Sequence, residues 1–106
     1  MAYSSKTKDP NARLDYIWPW RAEGWLPATD DITSVEFFVY DEDGNEIDTE
    51  VDLTPVVVDD FSFTPDDATA WLMAGTREMV YLIVCRITTQ DGRIDDRTLK
   101  LRITDK

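Results

Sequence analysis

Side chains able to do chemistry are unevenly supplied in this chain. Histidine is absent, which removes the usual general base, the commonest metal ligand and every Ser-His or Cys-His nucleophile pair. Catalysis would have to run on carboxylates or lysine. Aspartates occur as neighbours at Asp30-Asp31, Asp59-Asp60, Asp66-Asp67 and Asp95-Asp96, but adjacent strand residues point to opposite faces, so a pair in sequence is not a dyad in space. These pairs read as turns or solvated faces, where aspartate is favoured. The stretch "DEDGNEIDTE", 41 to 50, places Asp41, Asp43, Gly44 and Glu50 as in a calcium loop, yet that register puts Val39 where the first aspartate belongs. A β-hairpin turn at Asp43-Gly44 is the better reading. Cys85 is the single cysteine and sits within "YLIVCRITT", where a reduced thiol acts as a small hydrophobe. The four glycines are scattered at turns and form no phosphate-binding loop. The residues therefore predict no enzyme, no metal and no cofactor, and attention moves to surfaces.

The net charge of −11 is strongly polarised along the chain. No Lys or Arg lies between Arg21 and Arg77, while Asp and Glu recur from Glu23 to Asp67. Cations gather at the two ends, with Lys6, Lys8 and Arg13 in the leader and Arg86, Arg93, Arg97, Lys100, Arg102 and Lys106 towards the C-terminus. Such a balance repels a phosphate backbone, so no nucleic-acid partner is expected. No apolar run approaches the roughly 20 residues of a membrane span, so no membrane partner is expected either. "MAYSSKTKDPNAR" lacks the apolar centre of a secretory signal, which predicts that the chain stays in the cytoplasm where it is made.

The elements that must carry these surfaces are strands. A length of 106 residues suits one domain. Residues 1 to 13 show no apolar period and predict a flexible arm, leaving residues 14 to 106 as the folded domain. Leu14, Tyr16, Trp18 and Trp20 alternate along a first strand that Pro19 confines to a sheet edge. "DITSVEFFVY" (31–40) is a strand with Val35, Phe37 and Val39 on one face. After the turn at Asp43-Gly44, short strands are expected near 46 to 51, within 55 to 65 and in "DATAWLM". "MVYLIVCRITT" and "RIDDRTLKLRIT" then form a hairpin about Asp91-Gly92, with Tyr81, Ile83, Cys85, Ile87, Leu99, Leu101 and Ile103 facing inward. About seven strands with turns at such intervals predict an all-β, immunoglobulin-like antiparallel β-sandwich. Trp20 and Trp25, beyond the proline, are candidate contact anchors at one end, because tryptophan is enriched at interface hot spots. Asp91 and Arg93, beside the last hairpin turn, join them as candidate interface residues together with Lys6, Lys8 and Arg13 of the arm.

Several stretches together resemble a known family. "KDPNARLDYIWPW", "GWLP", "DDIT", "ATAWLMAGT" and "YLIVCRITTQDGRIDDRTLKLRI" are similar to small virion proteins of tailed bacteriophages, the fibre-tail adaptors or head-tail accessory proteins. The likeness covers most of residues 8 to 104 and is most specific at Trp71, Leu72, Gly75, Thr76, Tyr81, Ile87, Thr88, Thr89, Gly92, Arg93, Asp95 and Arg97. The resemblance implies a single Ig-like domain with a structural, non-enzymatic role in the virion, made in the bacterial host cytoplasm. It implies as partners other virion proteins of the tail, fibre or portal/connector, and copies of itself in a symmetric ring. On the bipolar charge, the arm's Lys6, Lys8 and Arg13 are expected against the acidic Asp41 to Asp52 region of the next copy. The alternative is an Ig-like decoration or host-surface domain whose tryptophans stack on carbohydrate.

Overall fold

The computed structural model describes residues 4–104. Seven strands follow in chain order: β1 (Ser4–Lys8), β2 (Leu14–Trp18), β3 (Ile32–Asp41), β4 (Val57–Phe63), β5 (Ala68–Met73), β6 (Val80–Thr89) and β7 (Ile94–Ile103). They form a four-stranded sheet, β1-β7-β6-β3, and a three-stranded sheet, β2-β5-β4. The order is that of an immunoglobulin-like sandwich, with β2 to β7 in the places of its second to last strands. β1 runs parallel to β7, Ser4 opposite Leu99 and Lys8 opposite Ile103, while all the other strand pairs are antiparallel. As Pro19 requires, β2 lies at an edge and stops at Trp18.

Alternation sets the core. In β6 every second residue, from Tyr81 to Thr89, is buried, and β7 turns Leu99, Leu101 and Ile103 to the same side. The facing strand β5 contributes Ala68, Ala70 and Leu72, all fully buried. Two alanines in the middle strand leave room for rings from its neighbours. Trp18 meets Phe37 edge-on at 5.2 Å between centroids, and Phe37 meets Phe61 at 5.6 Å, so one aromatic row ties β2, β3 and β4 across the gap. Cys85 lies in this core as expected. Burial pushes its thiol up to about 12, a shift that the adjacent Trp20 indole only partly offsets, which leaves a protonated and unreactive group at neutral pH.

Two expectations change. Residues 4–8, placed in a flexible arm, instead form β1 and complete an edge of the larger sheet. Their polar composition hid the strand, because β1 is held by backbone pairing and by one buried lysine rather than by apolar side chains. Residues 1–3 of that arm lie outside the described residues. The short strand expected near 46 to 51 is reduced to a single bridge between Tyr40 and Glu46. Asp48 competes with the ladder there: its carboxylate accepts the Glu50 N–H and its carbonyl accepts those of Val51 and Asp52, closing a turn instead.

The register predicts unequal costs within β7. Leu101→Ala should lower stability by about 2 to 5 kcal/mol, as large-to-small changes in packed cores do, whereas outward-facing Lys100→Ala should stay within about 0.5 kcal/mol. Chemical denaturation of both variants checks this, and equal losses would contradict the register.

Candidate functional site

The sandwich has two ends, and a buried carboxylate organises each. At the first, the β2–β3, β4–β5 and β6–β7 loops converge. Asp30 is fully buried there and accepts the Asp91 N–H at 3.1 Å and the Arg93 guanidinium at 2.9 Å. Burial disfavours its charge, but hydrogen bonds from Thr89, Asp91 and Arg93 outweigh that and hold the carboxyl below its ordinary range. Arg21 fastens the remaining loops. Its guanidinium donates to Asp66 and to Asp31, and also to the carbonyls of Pro27 (2.8 Å) and Asp30 (2.7 Å). Asp66 comes first among the partners that raise the Arg21 pKa.

Beside this latch, Arg97 stands between two indoles, 5.7 Å from the Trp20 ring centre and 4.4 Å from that of Trp25, while pairing with Glu23 at 3.1 Å. This stack explains the fates of the two tryptophans. Trp20 is 1% exposed and caps the core, so it is not available as the contact anchor expected of it. Trp25 remains 46% exposed, with one face covered by the guanidinium.

At the opposite end the β3–β4 loop is pinned to the β5–β6 corner. Tyr81, near the start of β6, donates its hydroxyl proton to the buried Asp52 carboxylate and accepts the Thr76 N–H at 3.0 Å. This is the tyrosine-corner arrangement of Ig-like sandwiches, with a carboxylate added. The Thr76 hydroxyl donates to the same carboxylate and meets that of Thr54 at 3.1 Å. Burial, and then the Asp52 bond, raise the Tyr81 pKa. The chain reaches Thr76 through Ala74 and Gly75, at φ 63° and 111°. A Cβ on Gly75 would fall 2.7 Å from the Ile103 Cδ1 and 2.9 Å from a Val56 methyl, so only glycine fits.

Lys8 completes this corner. It was expected as an exposed cation of the arm, but its side chain is fully buried and Nζ donates to the carbonyls of Asp9 and Ala74, both at 2.8 Å. Burial lowers its pKa against the pull of Asp9. The other arm cations differ. Arg13 pairs with Asp59 and lies 4.6 Å over the Trp71 ring, while Lys6 is exposed on β1. Asp91 and Arg93 are about half-exposed and 3.6 Å apart, so they present a polar rim around the Asp30 latch. Lys6, Trp25, Asp91 and Arg93 thus stay open to solvent, with Asp91 and Arg93 side by side and Lys6 on β1. Asp30, Asp52 and Arg97 were not foreseen as organisers, since their partners are 61, 29 and 74 residues away in sequence.

The acidic turn at 41–45 serves itself. Asp41 accepts the N–H groups of Asp43 and Asn45, both at 2.9 Å, and Gly44 takes φ 84°. Among the described residues no cluster of His, Cys, Asp or Glu forms a metal-binding group.

Comparison with protein families agrees with the motifs. A family model described as "Podophage GP4 fiber-tail adaptor protein gp77" matches residues 8–102. No curated protein gives a significant match.

Both carboxylate latches predict pH-dependent stability, with opposite signs. Removing the hydroxyl in Tyr81→Phe leaves Asp52 and the Thr76 N–H short of a partner and should cost about 1 to 3 kcal/mol near pH 7. Because the folded pKa of Tyr81 is raised, that advantage is complete below the unfolded value of about 10 and is lost as pH rises above it. Asp30 has a lowered folded pKa, so the advantage of the native protein over Asp30→Asn should be full above about pH 4 and shrink as pH falls further. Urea unfolding of the three proteins from acid to alkaline pH checks both. A pH-independent difference for either variant would contradict the assignment.

Proposed function

Because the chain belongs to the podophage fibre-tail adaptor family, we propose that this sandwich acts as a rigid, non-enzymatic bridge that joins a fibre protein to the tail of the virion. The match over residues 8–102 carries the reading, since it spans all strands from the end of β1 almost to the end of β7. The sandwich itself, rather than an appended segment, is then the adaptor.

The geometry supports that role physically. Loops at both ends are held by buried or part-buried hydrogen bonds to charged groups, Arg93 to Asp30, Arg21 to the Asp30 carbonyl and Tyr81 to Asp52, so less ordering entropy remains to be lost when a partner docks. The family motif residues act through this rigidity: Gly75, Thr76 and Tyr81 build one corner, and Arg93 and Arg97 tie the other end. A carbohydrate-stacking role has less to draw on, because Trp20 is buried and one face of Trp25 carries Arg97.

Phage particles produced without this protein should contain tails that lack fibres, and supplying the protein in trans should restore them. Electron microscopy and peptide quantification of purified particles measure both. Fully fibred, infectious particles lacking the chain would contradict the reading.

A further inference from the structure

The β3–β4 connection is longer than the strands around it require, and its conformation is fixed rather than loose. Asp48 closes a turn over Glu50, Val51 and Asp52, and Asp52 is then drawn into the tyrosine corner. Pinning Asp52 leaves its two neighbours facing outward. Val51 is 80% exposed and Leu53 is 79% exposed, the two most exposed large apolar residues among those described. Glu46, Asp48 and Glu50 precede them in the same loop and Asp52 lies between them. An apolar pair held in water by a structural anchor, inside an acidic loop, has the form of a preorganised contact.

A complementary surface lies close by. The outer side of β1, β7 and β6 forms a groove of about 480 Å³ lined by Ser5, Lys6, Thr7, Glu42, Val80, Lys100 and Arg102. Val80 and the lysine and arginine stems make it partly apolar, and three of its side chains are cationic on a molecule of net charge −11. Among the described residues neither Lys6 nor Lys100 is in an ion pair, while Arg102 lies 3.7 Å from Glu78. The edge of β1 away from β7 also carries no strand in this sheet. Glu42 opens the β3–β4 loop and lines the groove, so the two surfaces are neighbours.

We propose that the acidic loop around Val51 and Leu53 of one copy seats in the basic groove of a second copy, and the second copy's loop in the first copy's groove. Adjacent, opposite surfaces satisfy each other twice under a twofold rotation, which is the isologous arrangement. Exposed ion pairs contribute little each, so the charges select and orient the partner while Val51 and Leu53 lose their water. The proposal deepens the adaptor reading, on which it rests, by naming one of the surfaces the chain uses.

The test uses the full chain at about 0.15 M salt, where a Debye length of about 8 Å screens repulsion between whole molecules more than contacts at the surface. Sedimentation velocity up to about 1 mM protein, the weak end of measurable affinity, should show concentration-dependent pairing. Groove reversal (Lys100→Glu with Arg102→Glu) and loop reversal (Glu46→Lys with Glu50→Lys) should each weaken pairing at least tenfold, with circular dichroism and melting confirming the fold. Val51→Ser with Leu53→Ser should do the same. Mixing the two charge-reversed proteins should restore pairing, because each then offers what the other lacks. A monomer throughout the concentration range, pairing indifferent to both reversals, or a mixture that does not pair would overturn the proposal. Failure here with normal incorporation into particles leaves the adaptor reading standing, whereas absence from particles overturns that reading instead.

Discussion

The carboxylate of Asp52, held by Tyr81 and Thr76, is the constraint on which much of the surface depends. It sits beyond the strands, in a loop that the sheets do not order, and draws that loop onto the start of β6. Tyr81 faces inward opposite Leu101, so the same residue is part of the core and the anchor of the loop. Gly75 allows the close approach that brings Thr76 to the hydroxyl, and Lys8 holds the preceding carbonyl. Together these contacts hold the loop that carries Val51 and Leu53. In a domain with no disulfide to fasten its sheets, such charge-assisted contacts fix the ends while apolar packing fixes the middle.

What could be read from the sequence follows from how local the determining interactions are. Strict alternation in 80–89 and 94–103 placed β6, β7 and their inward faces, because strand periodicity needs only neighbours two residues apart. Asp91-Gly92 and Pro19 marked a turn and an edge through their own backbone limits. β1 gave no such signal. Ser4–Lys8 is polar, and it is a strand only because β7 offers a parallel partner almost a hundred residues on. The returning strand near 46 to 51 failed for the converse reason: its local pattern was suitable, but Asp48 and Asp52 had stronger partners than a ladder. At the sites, Trp20 and Trp25 look alike in sequence, and Arg97 decides between them only in three dimensions.

Charge is unevenly distributed in this acidic domain. The long basic-free stretch from 22 to 76 supplies β3, β4, β5 and the loops around them, while Lys6 and Lys8 near the start of the chain are brought beside Lys100 and Arg102 by the β1–β7 pairing. Membership of the fibre-tail adaptor family marks the chain as a structural virion protein, a class that works through the faces presented to its neighbours.

A reconstruction of the intact virion at side-chain resolution tests the central claim most directly. The account predicts this sandwich at the junction of tail and fibre, with both latched ends unchanged and its exposed surfaces in contact with neighbouring proteins. Density for the chain on the capsid surface alone, or a chain at the junction whose Asp30 and Asp52 latches have opened, would contradict it.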